Sequence, residues 1–302
     1  MTSNFQRNEE ICERRFLSGG PYYIVTTENL DWILFTCEED FAAGINMIAV
    51  ALVGQRIRVL ILVEMNNHLH LVTEGVYEDH LVFSDRLRLA MQRYQHAKGN
   101  PSLLGWEIMI KEIPDLGYLR NAILYVARNP YVANRGSSPV GYRWGSAHLM
   151  FNENVLSYNR GIPYSALTFR EKRVICRSRV STLPGNYMVL NGAITMESFV
   201  DYTEAELFFT SANQYFRMLS RRVESDAETA RWVGESILLP NEDVLRIVAG
   251  WFGVKMVRDL GPEERLEAAR RMKAELMSNN KQVAQILRLR PETVDALFPV
   301  AR

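Results

Sequence analysis

The chain has 302 residues, 47% of them hydrophobic and 23% charged, which excludes a disordered chain and makes two domains the natural expectation. No apolar run approaches the ~20 residues of a membrane span. The charged N-terminal residues lack the apolar segment of a secretory signal, and three scattered cysteines, Cys12, Cys37 and Cys176, argue against a disulfide framework and suit a reducing cytoplasm. The formal charge of zero counts against a nucleic-acid partner taken globally. Locally the balance differs: residues 85–143 hold Arg86, Arg88, Arg93, Lys98, Lys111, Arg120, Arg128, Arg135 and Arg143 against Asp85, Glu107, Glu112 and Asp115.

The run from Pro21 to Thr27 is β-branched and aromatic and predicts a strand. Apolar positions at helical spacing (Phe41, Ile45, Ile48, Ala49) predict a helix from Glu38 to about Val53. Arg58–Glu64 and His68–Thr73 read as strands joined by a tight Met65-Asn66-Asn67 turn, hence a hairpin. Ser84 is placed to cap a helix reaching about His96, before the breaker Lys98-Gly-Asn-Pro101. Trp106–Ile113 predicts a short strand, and Leu119–Arg128 a helix ending near Asn129-Pro130. From about Phe151 turn residues and short polar runs suggest a connector, 151–195. Helices are expected over Glu197–Ser220, Ala227–Leu238, Asn241–Trp251 and Pro262–Met277, with two short ones between Lys281 and Leu297. The resulting reading is an α+β domain over 1–150, the connector, and an all-helical region over 196–302.

Side chains two apart on a strand share a face, so His68 and His70 project together while Leu69 turns into the core. Two neutral imidazoles on one face can bind a divalent ion. Tyr125 and Asn129, four apart, are neighbours on one helix face, and the amide oxygen of Asn129 is a further candidate ligand beside the tyrosine hydroxyl. Such a mixed, open site suits Mg²⁺ or Mn²⁺ better than closed zinc coordination. Taken alone, the pair reads more readily as two half-buried histidines hydrogen-bonded across a sheet than as metal ligands.

Three ordered motifs add to this. Met65-Asn66-Asn67-His68-Leu69-His70-Leu71-Val72 resembles the Met-Pro-Asn-His-hydrophobic-His-Leu-Leu signature of REP-associated tyrosine transposases, within the HUH single-tyrosine transposase superfamily. Tyr125-Val-Ala-Arg-Asn129-Pro130-Tyr-Val-Ala133 is similar to that family's Tyr-Ile-x-x-Asn-Pro-x-x-Ala block, and Tyr142-Arg-Trp144-Gly145-Ser146 to its Tyr-x-Trp-Ser-Ser. The resemblance covers roughly residues 20–150. It implies a ferredoxin-like antiparallel sheet flanked by helices, His68, His70 and Asn129 as metal ligands, and Tyr125 as nucleophile. The implied reaction cuts single-stranded or hairpin DNA through a 5′-phosphotyrosine link, with Arg120, Arg128, Arg135 and Arg143 as candidate phosphate contacts. Asn66 in place of proline, Gly145 in place of serine, and the neutral charge depart from the family pattern.

Tyr94 stands where relatives carry an Arg-Tyr pair, with packing or DNA contact the favoured role. Glu64 and Glu74 flank the histidine strand. Residues 281–297 resemble a helix-turn-helix, although Arg288 takes the usual turn glycine and Glu292 and Asp295 place acids on the would-be recognition helix. A non-catalytic DNA-binding regulator of the same fold is the alternative to the nuclease. A relaxase-like enzyme is disfavoured because no P-loop and no second tyrosine paired with Tyr125 is present. A homodimer is left open as the assembly state.

Overall fold

The computed structural model describes all residues except 1–3, 29, 31–32, 104, 134–137, 158–160, 178–182, 221–240, 277, 279 and 299–302. The chain divides into two compact units, Met1–Ser220 and Arg221–Arg302. The first opens with α1 (Asn4–Ser18), β1 (Tyr22–Thr27), α2 (Glu38–Ala51), β2 (Ile57–Glu64) and β3 (Leu69–Gly75). It continues with α3 (Tyr77–Ala97), β4 (Ile108–Glu112) and α4 (Leu116–Ala133). The four strands form one antiparallel sheet in the order β2-β3-β1-β4, giving an α+β unit with β3 in an interior position.

Alternation assigns the faces. Tyr23, Val25, Leu69 and Leu71 pack with Ile45 and Ile48 of α2 and with Phe83, Leu87 and Met91 of α3. The opposite face, carrying Ile24, His70 and Val72, meets α4. The β2–β3 hairpin closes through Met65 N–H donating to the His68 carbonyl at 2.8 Å, while Leu34 and Phe35 N–H both donate to the Asn66 carbonyl, at 2.8 and 2.9 Å. The missing proline at position 66 therefore does not leave this turn untied.

α3 begins seven residues before the predicted cap. Gly75 at φ +151° ends β3, Glu78 and Asp79 favour the helix N-terminus, and Ser84 lies buried in the helix interior. Asp115 Oδ1 accepts from Tyr118 N–H at 2.9 Å to start α4. That helix runs past its expected stop to Ala133, with Pro130 inside it. A proline has no N–H to donate four residues back, so it weakens this turn without ending it.

The domain boundaries expected near residues 150 and 196 do not mark where the units part. Segment 151–220 belongs to the first unit. It supplies β5 (Ile162–Pro163), α5 (Phe169–Cys176), β6 (Met188–Leu190), β7 (Ala193–Ile194), α6 (Tyr202–Glu206) and α7 (Ala212–Leu219). Asn46 Nδ2 donates to the Gly192 carbonyl at 2.8 Å, Val200 bridges to Val59, and the Phe151 ring packs at a tilt against that of Tyr215. The single helix expected over 197–220 is broken because Asp201 and Ser211 each cap a new one, accepting from Glu204 and Gln214 N–H.

In the second unit the described helices are α8 (Asn241–Phe252), α9 (Pro262–Glu275), α10 (Asn280–Leu287) and α11 (Pro291–Leu297). The helix expected over 227–238 lies outside the described residues. Val283, Ile286, Leu287 and Val294 are buried where α10 and α11 meet, and Arg288 adopts φ +51° at the turn, the conformation that glycine usually supplies.

Candidate active site

His70 is the second residue of β3, opposite Thr26 on β1 and Val63 on β2, and it points at α4. Its imidazole is fully buried, and burial pushes its pKa down to about 3. The ring is therefore neutral at ordinary pH, the state in which imidazole can act as a ligand. Asn129 Nδ2 donates to His70 Nε2 at 3.0 Å, and the Tyr125 ring meets His70 edge-on with centroids 5.4 Å apart. Two turns of α4 thus place both residues against one imidazole, as their four-residue spacing requires.

His68 sits immediately before β3, with its ring centroid 4.7 Å from that of His70 and the ring planes at 78°. Asn67 settles its tautomer. The Asn67 amide nitrogen donates to the Leu30 carbonyl at 2.7 Å, which fixes the amide and turns Oδ1 toward His68 Nδ1 at 2.8 Å. Oδ1 can only accept, so Nδ1 carries the proton and the lone pair lies on Nε2. This orienting contact is the kind that supports metal-binding histidines. The sequence signalled Asn67 only as a turn residue.

His68, His70 and Asn129 offer two imidazoles and an amide, a set that fits one divalent ion once the Asn129 amide turns to present Oδ1 and frees the His70 Nε2 lone pair it now occupies. Among the described residues no group of three or more His, Cys, Asp or Glu side chains could add to it. The site is closed in this conformation: His68, His70, Tyr125 and Asn129 are all buried, with Tyr125 only 1% exposed.

Both flanking glutamates lie elsewhere. Glu64 pairs with Leu69 and so occupies the opposite face, and Glu74 accepts from Gly20 N–H and Arg58 at the far end of β3. Tyr94 is likewise on the α2–α3 side, where its hydroxyl donates to Asp40 at 2.5 Å beside Lys98. Burial alone would raise the Asp40 pKa, but bonds from Lys98, Tyr94 and Thr36 hold the carboxyl well below its usual range.

The proposed phosphate contacts divide. Arg120 is buried, with Nε donating to the Phe208 carbonyl at 2.5 Å and Nη2 to Glu9 at 2.7 Å. Arg128 is buried and turned toward the carbonyls of Met218 and Leu219, at 3.4 and 3.5 Å. Both reach into segment 202–219, which covers α4, and in this conformation neither faces solvent. Arg143 is exposed, pairs with Glu38 and lies over the Trp144 ring. Arg135 lies outside the described residues.

The third motif extends the sheet edge. Glu64 N–H donates to the Trp144 carbonyl at 2.8 Å, Tyr142 Oη to the Glu64 carbonyl at 2.9 Å, and Ser146 Oγ accepts from Leu62 N–H at 2.9 Å. A Cβ on Gly145 would approach Val63 Cγ2 to 3.2 Å, so glycine suits this tight edge.

No protein-family model matches the chain, and no curated protein matches it. A solved structure of a REP-associated tyrosine transposase bound to a REP hairpin aligns with 58% of this chain and 96% of its own. Sequence identity is 12% and the TM-score 0.35.

Proposed function

We propose that the chain is a transposase-type, single-tyrosine DNA endonuclease and strand transferase that uses a divalent metal. The observation that carries this reading is the convergence of Tyr125, Asn129 and His70 from two elements, with His68 alongside and oriented by Asn67. The strand order and the β-α-β-β-α-β succession support the ferredoxin-like, HUH-nuclease form of the α+β fold.

His68, His70 and Asn129 would hold Mg²⁺ or Mn²⁺, which when bound supplies charge stabilisation at the scissile phosphate. Tyr125 Oη would attack phosphorus, forming the tyrosyl–phosphate bond as the bond to the 3′-oxygen breaks. The 5′-phosphate stays on the protein, and the 3′-hydroxyl is released and available for rejoining. Because the tyrosine is enclosed, a single strand or hairpin end reaches it only after α4 separates from the sheet. Pro130, which leaves the Val126 carbonyl without its helical donor, lowers the resistance of α4 to that movement.

A second reading, a non-catalytic DNA-binding regulator of the same fold, is favoured by that same enclosure. In this reading α10 and α11 act as the helix-turn-helix. Mn²⁺-dependent nicking of a hairpin oligonucleotide separates the two. Nicking by the wild type that is lost in the His68→Ala, His70→Ala double variant supports the nuclease. Binding without nicking supports the regulator.

A further inference from the structure

A cleft of about 450 Å³ opens between α2 and α3 and is bounded at one side by the end of α5. That volume is within the range of small-molecule sites, ~300–1,000 Å³. Its floor is aliphatic, with Met47 and Ala51 from α2 and Ala90 from α3, whereas its rim carries Arg86, Arg93 and Arg177 and, among the described residues, no acidic side chain. Arg86 and Arg93 are seven residues apart, two helical turns, and so project from the same face of α3. Arg86 Nη1 donates to the Val53 carbonyl at 2.6 Å, which fixes that guanidinium at the rim.

Arg177 caps α5 in the left-handed conformation, φ +41°, where glycine is the usual residue. Its guanidinium lies 4.8 Å from the centre of the Tyr94 ring, and that ring is held in turn by the Tyr94–Asp40 hydrogen bond. Three cationic groups thus border an apolar floor, and among the described residues lining the cleft there is no carboxylate to neutralise them.

We propose that this cleft binds a small amphipathic anion, an aliphatic chain ending in a carboxylate or a phosphate. The floor removes the chain from water while the guanidinium forks take the head group, since both carboxylate and phosphate match their planar donor geometry. Single-stranded nucleic acid fits less well. It needs open aromatic faces for base stacking, and Tyr94, the aromatic residue at the cleft, is covered by Arg177 and has Lys98 5.7 Å from its ring centre. The cleft lies on the α2–α3 side of the sheet, away from His68 and His70, so the proposal stands independently of the nuclease reading.

The test is calorimetric titration of the full chain with decanoate, decyl phosphate, decanol and a single-stranded oligonucleotide. Saturable binding of decanoate or decyl phosphate at least tenfold tighter than decanol is expected, with the tighter of the two anions identifying the head group. The exposed-site double variant Arg93→Ala, Arg177→Ala should weaken that binding at least tenfold. Ala90→Trp, which fills the half-buried floor, should abolish it while leaving the circular dichroism spectrum and melting unchanged. Three results would overturn the proposal: no saturable binding of either anion, equal binding of decanol, or anion binding that survives Ala90→Trp. Loss of oligonucleotide binding in the arginine variant, with no anion binding in the wild type, would assign these arginines to a nucleic-acid backbone instead.

Discussion

Glu64 ends β2 with its carboxyl against Gly44 of α2, fully buried and, among the described residues, without a hydrogen-bond partner. Burial, reinforced by the Asp40 carboxylate, pushes its pKa well above the usual glutamate range. The folded protein therefore keeps the proton while the unfolded chain releases it above about pH 4.3. Stability is not reduced by this group below that pH. It falls as pH rises, by up to about 1.4 kcal/mol per pH unit, until the folded-state pKa is reached. Glu64→Gln keeps the shape and removes the titration. Relative to wild type it should be near neutral at pH 4–5 and increasingly stabilising toward pH 7. Amide hydrogen exchange of β2 and β3 reads the opening of this unit alone and avoids treating a two-unit chain as two-state. A difference between the proteins that stays flat from pH 5 to 7 would refute the reasoning, because Glu64 would then titrate alike in both states.

A Cβ placed on Gly44 would lie 1.5 Å from Glu64 Oε1 and 2.9 Å from Phe35 Cε1, so Gly44→Ala should destabilise by about 1–3 kcal/mol. Adding Glu64→Ala should recover part of this loss in the same exchange experiment, and additive losses would contradict the clash. Asn67→Ala frees the His68 tautomer and should weaken Mn²⁺ binding ~10–100-fold, measured by calorimetry; unchanged affinity would remove Asn67 from the site. Arg120→Met should cost about 1–3 kcal/mol of stability through the stranded Phe208 carbonyl and Glu9 carboxylate. It should leave the salt dependence of oligonucleotide binding unchanged, whereas a shallower slope would restore Arg120 as a phosphate contact.

Local pattern carried the sheet and the approach of the site residues. Val-Leu-Ile-Leu-Val and Leu-His-Leu-Val-Thr are strands by composition, and period two predicts that Leu69 and His70 turn to opposite faces, as the packing of Leu69 with α2 and α3 shows. What was illegible depends on segments distant in sequence. Arg120 and Arg128 fall on neighbouring rows of α4, and their spacing cannot reveal that residues 202–219 cover that face. The tautomer of His68 depends on Leu30, 37 residues before Asn67. Ser84 satisfies a cap rule yet lies inside α3, because Gly75 had already turned the chain and Glu78 and Asp79 favoured an earlier start. Pro130 is a stop signal that α4 overrides, its flanking turn being packed against the sheet through Asn129 and His70.

In the proposed reaction Tyr125 Oη is the nucleophile. Tyr125→Phe removes one oxygen and almost no volume, so stability should change by no more than about 1 kcal/mol, while cleavage requires the missing atom. The most direct measurement incubates wild type and Mn²⁺ with a single-stranded hairpin substrate labelled on the 3′ side of the cut, then denatures and digests the protein. The expected result is a labelled DNA adduct that mass spectrometry places on Tyr125, absent from Tyr125→Phe. An adduct on Tyr94 or any other residue, or cleavage with no adduct at all, would contradict it.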